Sequence, residues 1–210
     1  MAKYELNYEA LDADKKKEAS SAEDYLDWVE TIITAFFVVI LVFTFLLRVA
    51  NVDGESMLPT LIDGDRLIVS HLFYEPAAGD IVIVNNMNGH VYNSVNELET
   101  VLGLESKPKA IVKRVVAVGG QTVNINFDTG EVSVDGVVID EPYINDLTKM
   151  DEGGHQYPVI VPNGYVFVMG DNRMNSVDSR DQRVGFVDEE DILGKVVLRV
   201  FPFSSFGVPA

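Results

Sequence analysis

The stretch Ala110-Ile-Val-Lys-Arg-Val-Val-Ala-Val118 is dominated by β-branched residues. Such a composition predicts a β-strand. Because successive side chains of a strand point to opposite faces, Lys113 is expected to share its face with apolar neighbours, namely Ile111, Val115 and Ala117. The stretch therefore predicts both a β-rich fold and an amine in apolar surroundings.

Runs of the same kind lie on both sides of this stretch, and turn residues separate them. Asp128-Thr-Gly130 and Asp135-Gly136 are hairpin or turn signals. Many short strands at this spacing predict a mainly β domain. A polar insert of residues 86–109 interrupts it, in which Ser94 to Leu104 are compatible with a short helix. The predicted strands are 66–70, 80–84, 110–118, 122–126, 131–134, 165–169 and 194–200.

A long apolar run precedes the β-rich region. The twenty residues from Trp28 to Leu47 are almost all apolar. As a helix rising about 1.5 Å per residue, they reach about 30 Å, the thickness of the hydrocarbon core of a bilayer. Trp28 and Arg48 flank the run, as is favoured at membrane interfaces. We therefore expect a polar tail of residues 1–27, a transmembrane helix of residues 28–48 and a β-rich domain of residues 49–210.

Two alternatives compete with a transmembrane helix. A cleaved signal peptide fits poorly, because the apolar run and the acidic tail before it are both too long. A buried soluble helix fits poorly because the run has no polar stripe. Lys15 to Lys17 precede the run, against Arg48 and Arg66 after it. By the positive-inside rule this favours a single-pass protein of the cell membrane with a cytoplasmic N-terminus and an extracytoplasmic β-rich domain.

Composition argues against several function classes. The formal net charge is −17, whereas nucleic-acid binding needs a basic surface. The chain has no cysteine, which excludes disulfides, thiolate metal sites and a cysteine nucleophile. Its three histidines, His71, His90 and His155, lie far apart and lack metal-ligand spacing. We therefore expect no nucleic-acid partner, no metal and no organic cofactor.

Ser56 is the first candidate for catalysis. It lies in Gly54-Glu-Ser-Met-Leu-Pro-Thr60, where Gly54 relaxes the backbone and Pro59 stiffens it. A serine hydroxyl becomes a useful nucleophile only when a neighbouring base takes its proton. Many serines in such loops are only turn formers, so the loop by itself leaves both readings open.

Lys113 is the candidate base. Apolar surroundings disfavour the ammonium form, so the pKa of the lysine falls. A fall from about 10.4 to about 8 costs about 3 kcal/mol and leaves a substantial neutral fraction at mildly alkaline pH. The alternative is a lysine on an edge strand that points its ammonium into solvent.

A third polar stretch follows the predicted strand 165–169. It runs Gly170-Asp-Asn-Arg-Met-Asn-Ser-Val-Asp-Ser-Arg-Asp-Gln-Arg-Val-Gly185. A calcium loop is excluded, because Arg173 occupies a position that needs a liganding oxygen. As a polar scaffold the stretch works, since Asp178 and Arg180 are able to pair and Ser176 is able to orient a nearby amine. The alternative is a solvated loop of turn residues.

Four motifs, in this order after an apolar anchor, resemble the type I signal peptidases, the bacterial leader peptidase family with a Ser–Lys dyad. The resemblance covers roughly residues 30 to 200, and it implies a largely antiparallel β domain that lies against the membrane surface. Asp135 to Ile144 also resemble a segment of that family. The four motifs are Ser56–Thr60, Gly79–Val82, Val112–Val115 and Gly170–Gly185.

The resemblance implies roles for individual residues. Ser56 matches the nucleophile, with its backbone N–H as an oxyanion donor, and Lys113 matches the general base. Ser176 matches a serine that hydrogen-bonds the lysine amine. The remaining supporting positions are an ion pair, Asp178 and Arg180, and two structural positions, Asp171 and Arg114.

The chain departs from the family pattern at two places. Some members carry a serine two residues before the nucleophile, whose hydroxyl helps to bind the oxyanion, whereas this chain has Gly54, as is common in Gram-positive members. Many members follow the lysine motif with Gly-x-Pro-Gly-Asp. Here Ala117-Val-Gly-Gly-Gln121 leaves that Pro and Asp unmatched, so the turn is expected to differ.

The function that the resemblance implies is removal of N-terminal signal peptides from exported preproteins by a membrane-bound serine endopeptidase. Leu47 and Ser56 are nine residues apart, so the nucleophile stays within about 30 Å of the end of the apolar run. The expected partners are preproteins with signal peptides and the lipid bilayer. Two alternatives stay open: another Ser–Lys protease, such as the self-cleaving repressor proteases, and a membrane-anchored, non-catalytic peptide-binding module.

Overall fold

A computed structural model describes residues 25–41, 47–85 and 110–209. The chain divides into two units, with the boundary between residues 46 and 47. The greater part of the predicted polar tail lies outside the described residues, as does the whole predicted insert of residues 86–109 with its short helix.

Residues 25–41 of the first unit form helix α1. Apolar side chains are exposed along it, among them Ile33 at 62% and Phe36 at 67% exposure. None of the helical segments that the structure describes combines the length and the apolar character needed to span a bilayer. The predicted transmembrane helix of residues 28–48 lies partly outside the described residues and stays a prediction.

The described residues of the second unit, 47–85 and 110–209, form eleven β-strands, numbered β1 to β11 in chain order. Short 3-10 turns lie at Glu189–Asp191 and Phe203–Ser205. The strands are β1 Leu47–Asn51, β2 Arg66–Ser70, β3 Ile81–Val84, β4 Ile111–Val118, β5 Thr122–Asn126, β6 Glu131–Val134, β7 Val137–Val138, β8 Val159–Ile160, β9 Tyr165–Met169, β10 Val187–Asp188 and β11 Ile192–Phe201.

These strands form two antiparallel sheets. The large sheet has the order β1-β2-β11-β3-β4-β9-β10, and the small sheet has the order β7-β6-β5-β8. All strand pairs are antiparallel. The mainly β, antiparallel fold predicted from the sequence and the resemblance is therefore confirmed.

The first strand corrects one predicted boundary. Leu47 and Arg48 were expected in the last turn of the apolar helix, but they are the first residues of β1. Leu47 pairs with Ser70 and Arg48 with Val69 across the β1–β2 ladder. Backbone pairing with a second strand thus outweighs the helical preference that the apolar composition suggests.

Strand β4 lies in the interior of the large sheet. It pairs with β3 on one side and with β9 on the other. Its residues from Lys113 to Ala117 are all buried, so both of its faces are covered. The alternative of an edge-strand lysine pointing into solvent is therefore wrong.

Apolar side chains of the two sheets pack against each other. Val116, Ala117 and Phe167 of the large sheet contact Val123 and Ile125 of the small sheet in one cluster. A second cluster lies near the start of the domain and combines residues of the 52–61 region with strands β2, β3 and β11. Its buried members are Val52, Met57, Leu61, Leu67, Val69, Ile81, Ile83 and Val196.

Candidate active site

The loop that carries Ser56 is held in place from both sides. Met57 and Leu61 are 1% and 0% exposed and belong to the second apolar cluster. The N–H of Leu61 donates to the carbonyl of Met57. Gly54 has φ +102°, a conformation that residues with side chains rarely adopt, and its N–H donates to Asp63 Oδ1 at 2.8 Å. The loop therefore presents a half-buried Ser56 from a fixed backbone.

Lys113 brings its amine to this serine. Lys113 Nζ lies 2.8 Å from Ser56 Oγ and 3.0 Å from the carbonyl oxygen of Val112. The lysine is 3% exposed. Burial lowers its pKa to about 8, although the negative charge of Asp178 acts in the opposite direction. A neutral amine beside a serine hydroxyl is the arrangement that general-base activation requires.

Asp178 and Arg180 form a fully buried ion pair. Arg180 Nε donates to Asp178 Oδ1 at 2.8 Å, and Arg180 Nη2 donates to Asp178 Oδ2 at 2.9 Å. Burial by itself raises the pKa of Asp178, but Arg180 and the donors Gly170 N–H and Ser176 Oγ together hold that pKa below its ordinary value. The carboxylate is therefore kept ionised in a dry environment.

Ser176 makes a different hydrogen bond from the one that the family resemblance implies. Its hydroxyl donates to Asp178 Oδ2 at 2.8 Å. Within the described residues, the Lys113 amine donates to Ser56 and Val112. The hydroxyl prefers Asp178 because a hydrogen bond to a carboxylate is stronger than one to a neutral partner. Ser176 nevertheless lines the same cleft as Ser56 and Lys113.

Arg114 and Asp171 lie next to the candidate dyad and form a second buried pair. Arg114 Nε and Nη2 donate to the two oxygens of Asp171 at 2.8 and 2.7 Å. The guanidinium also donates to the carbonyl of Gly79 and stacks over the ring of Tyr143, 3.8 Å from its centre. The hydroxyl of Thr60 donates to Asp171 as well. This pair ties β4 to the segments around residues 60, 79 and 171.

Asn172 is a site residue that the sequence reasoning missed. Its backbone N–H donates to the carbonyl of Ser56, and its side-chain amide donates to the carbonyl of Glu55, both at 3.0 Å. Its neighbour Gly170 was also missed. A side chain at Gly170 would overlap the hydroxyl of Ser176 and approach the carbonyl oxygen of Ser56 to 2.5 Å. The Asp-Asn turn pattern indicates a polar scaffold, but no local pattern predicts hydrogen bonds to the Ser56 loop, which is more than a hundred residues away in the sequence.

Ser56 and Lys113 open into a cleft of about 370 Å³. The backbone N–H of Ser56 points to no acceptor among the described residues. The cleft walls come from three segments of the domain: residues 51–57, residues 110–113 and residues 175–177.

Comparison with known proteins identifies the family. The family model described as "Signal peptidase, peptidase S26" matches residues 25–201. Signal peptidase I T of Bacillus subtilis (strain 168) is 34% identical over 199 residues, which are 90% of this chain and 92% of the relative. A probable signal peptidase I-1 of Synechocystis sp. is 36% identical over 183 residues, covering 85% and 84%. Signal peptidase IB of Staphylococcus aureus (strain Mu50) is 32% identical over 201 residues, covering 88% and 93%.

The match extends over most of this chain and over most of each relative, and the relatives include Gram-positive proteins, in agreement with the resemblance that Gly54 indicated. This chain therefore belongs to the signal peptidase family, peptidase S26.

Proposed function

We propose that this chain is a serine endopeptidase that removes N-terminal signal peptides from exported preproteins, with Ser56 as nucleophile and Lys113 as general base. The observation that carries the proposal is the 2.8 Å contact between Lys113 Nζ and Ser56 Oγ, made by an almost fully buried lysine. The substrate class is supported by relatives named signal peptidase I.

The first chemical half is acylation. When Lys113 is neutral, the Ser56 hydroxyl donates to the amine, which takes the proton as Oγ attacks the scissile carbonyl carbon. The carbonyl electron pair moves onto its oxygen and then returns as the C–N bond breaks. Lys113 gives the proton to the departing nitrogen. The products are an ester of the signal peptide on Ser56 and a mature protein with a free amino terminus.

The second half is hydrolysis of that ester. Water donates a proton to Lys113 as it attacks the ester carbonyl, and Lys113 then returns the proton to Ser56 Oγ as the ester bond breaks. The signal peptide leaves with a carboxyl terminus. The dyad is restored, so each turnover consumes one water molecule.

The backbone N–H of Ser56 serves as an oxyanion donor in this mechanism. It has no acceptor among the described residues, so it is available to a substrate oxygen. Such a donor is typically worth about 3 kcal/mol in the transition state. Because Gly54 has no side-chain hydroxyl that could donate to the oxyanion as well, the loop supplies its oxyanion donor from the backbone.

The two buried ion pairs support the dyad without adding net charge. Asp178 raises the pKa of Lys113, whereas Arg180 lowers it, so the pair largely cancels. Burial then remains the main influence and keeps the amine neutral at mildly alkaline pH. Asp178 also holds Ser176 against the cleft. Arg114 and Asp171 fix β4 relative to the turn that contains Asn172.

The proposal includes a membrane anchor. Since β1 begins at Leu47, the anchor would consist of residues 28–46, which as a helix reach about 28 Å. The exposed apolar side chains of α1 support it, because lipid is a favourable neighbour for them. The N-terminus is proposed to be cytoplasmic and the β domain extracytoplasmic.

The absence of natural cysteines makes the topology easy to test. Single variants Ser20→Cys and Ser204→Cys are treated in intact cells with a membrane-impermeant maleimide. We expect labelling of Ser204→Cys in intact cells and labelling of Ser20→Cys only after permeabilisation. The reverse pattern would contradict the proposed orientation.

Activity is tested with the full chain in detergent and a purified preprotein, with the new amino terminus read by mass spectrometry. Ser56→Ala and Lys113→Ala should lose cleavage, whereas the matched controls Ser133→Ala and Lys149→Ala should retain it. Retained cleavage in either dyad variant would refute the dyad. Binding of the preprotein without cleavage by the unaltered chain would favour the anchored binding module.

A further inference from the structure

A four-residue segment, Asp151-Glu-Gly-Gly154, lies along the chain that follows Arg180; we call it the acidic strap. Gly153 forms a β-bridge with Asp181, and the N–H of Gly154 donates to the carbonyl of Arg180 at 2.7 Å. A side chain at Gly154 would overlap that carbonyl group. Gly154 therefore lets the strap approach the chain closely, and this approach holds the neighbouring Glu152 next to Arg180.

Glu152 brings a second carboxylate to Arg180. Glu152 Oε1 lies 3.7 Å from Arg180 Nη2, and the Glu152 side chain is only 10% exposed. Arg180 is already paired with Asp178 through Nε and Nη2. One buried guanidinium is thus shared by two carboxylates, of which only Asp178 has close hydrogen bonds to it.

The other oxygen of Glu152, Oε2, is buried without a hydrogen-bond partner. Across the described ranges, the remaining buried side-chain atoms of this kind are His155 Nε2 and Tyr157 Oη, from the same part of the chain. A buried polar atom without a partner is costly for the charged form of its group. The position therefore does not favour a permanently ionised carboxylate.

Burial makes Glu152 easy to protonate, and the nearby charges partly oppose each other. Burial raises the pKa of Glu152 to about 7. The negative charges of Asp178 and Asp181 add to this rise. The positive charges of Arg180 and Arg183 oppose it. The phenol of Tyr157 faces the same cluster. Glu152 also adds to the charges that raise the pKa of Lys113. The strap therefore carries a carboxyl group whose protonation state affects the pKa of Lys113.

We propose that Glu152 is a positioning residue of the candidate active site, which acts through the Asp178–Arg180 pair and whose charge sets the fraction of Lys113 that is neutral. This inference rests on the proposed function. With Glu152 protonated, Asp178 and Arg180 cancel and Lys113 releases its proton more readily. With Glu152 ionised, the cluster carries a net negative charge and favours the ammonium form. Loss of the proton from Glu152 therefore disfavours loss of the proton from Lys113, and the reverse also holds.

The test is the substitution Glu152→Gln in the full chain, which keeps the shape of the side chain and removes its charge. The acid limb of kcat/KM for preprotein cleavage should move to lower pH by about 0.3 unit, which is about twofold higher activity on that limb. The matched control, Glu131→Gln, alters an exposed glutamate of β6 and should leave the limb in place. An unmoved limb, a shift to higher pH, or a uniform loss of activity without a shift would overturn the inference.

A second measurement does not depend on catalysis. The side-chain signal of Lys113 is followed by NMR as a function of pH in lysine-labelled full chain, and is assigned by its loss in Lys113→Ala. The Lys113 titration should move to lower pH in Glu152→Gln. If the unaltered chain cleaves no preprotein, the proposed function fails, and this titration still decides the role of Glu152.

If Glu152→Gln does not fold, the NMR titration of Lys113 in the unaltered chain tests the role of Glu152. In that chain the Lys113 signal should show a further inflection near pH 7, where Glu152 loses its proton. A single inflection would overturn the inference.

Discussion

Asn172 and Ser56 are joined by a backbone hydrogen bond of 3.0 Å, from the N–H of Asn172 to the carbonyl of Ser56. The Asn172 side chain adds a bond to the carbonyl of Glu55. The turn after β9 thus holds the backbone of the loop that presents the proposed nucleophile.

Asn172→Ala should therefore lower kcat/KM. The backbone bond survives, and the loss of one hydrogen bond of about 1 to 1.5 kcal/mol corresponds to about tenfold in rate. Steady-state cleavage assays measure the change. Asn124→Ala serves as the control, because Asn124 is exposed on strand β5 of the small sheet and does not line the cleft. An equal loss in both variants would argue against the role of Asn172.

Cleavage by the unaltered chain should increase with pH and reach half of its plateau near pH 8. The reason is that burial lowers the pKa of Lys113 to about 8, and only the neutral amine accepts the proton of Ser56. The pH dependence of kcat/KM checks this expectation. A limb centred near pH 6.5 would point to a histidine instead.

Lys113→Met should stabilise the domain at neutral pH while abolishing cleavage. Because the folded-state pKa of Lys113 lies below its unfolded value, the unfolded chain binds more protons between about pH 8 and 10.4, and stability falls as the pH drops through that window. Removing the amine relieves up to about 3 kcal/mol. Unfolding in denaturant at pH 7 and pH 10.5 measures the effect. The gain should shrink at the higher pH, and a less stable variant at pH 7 would contradict the account.

Asp178→Asn should be strongly destabilising, by about 3 to 5 kcal/mol, because it leaves the buried charge of Arg180 without its main partner. The matched control is Asp181→Asn, since Asp181 pairs with Arg183, whose side chain is 42% exposed. Its substitution should cost no more than about 1 kcal/mol. Equilibrium unfolding of both variants provides the comparison. Similar losses in the two would contradict the special importance of the buried pair.

Gly170→Ala should abolish cleavage. A methyl group there would overlap the Ser176 hydroxyl and push against the carbonyl of Ser56, so both groups must move. Gly64→Ala is the control, because Gly64 has φ +85° but open space around it. That control should lose about 1 kcal/mol or more of stability through backbone strain and keep its activity. Full activity in Gly170→Ala would show that the close approach is unimportant.

Much of the fold is predictable because it depends on local patterns. Strands 66–70, 122–126, 131–134 and 165–169 were predicted with the bounds of β2, β5, β6 and β9. The Asp135-Gly136 turn was predicted as well, and both residues have positive φ, as a tight hairpin requires. The short strands β7, β8 and β10 were not predicted, because two residues carry no periodicity.

The candidate site was predictable in its residue types and less so in its contacts. The alternation of β4 placed Lys113 in apolar surroundings, and the structure buries it. The hydrogen bond from Ser176 to Asp178 was not predicted, because the tertiary structure decides which nearby group the hydroxyl meets. The sequence reasoning missed three further residues for the same reason, because each contacts a segment that is distant in sequence. They are Asn172, Gly170 and Glu152.

The register of β4 has a consequence for folding fidelity. Lys113 and Arg114 are adjacent, so they point to opposite faces of the sheet, one toward Ser56 and the other toward Asp171. A slip by one residue in one direction would place Arg114 beside Ser56 and Val115 beside Asp171, and a slip in the other direction would place Val112 beside Ser56 and Lys113 beside Asp171. Asp171 would lose its forked partner, and the proposed nucleophile would lose its base. The same register therefore secures both stability and activity, because a molecule with a shifted β4 would lack the buried ion pair and the proposed catalytic base.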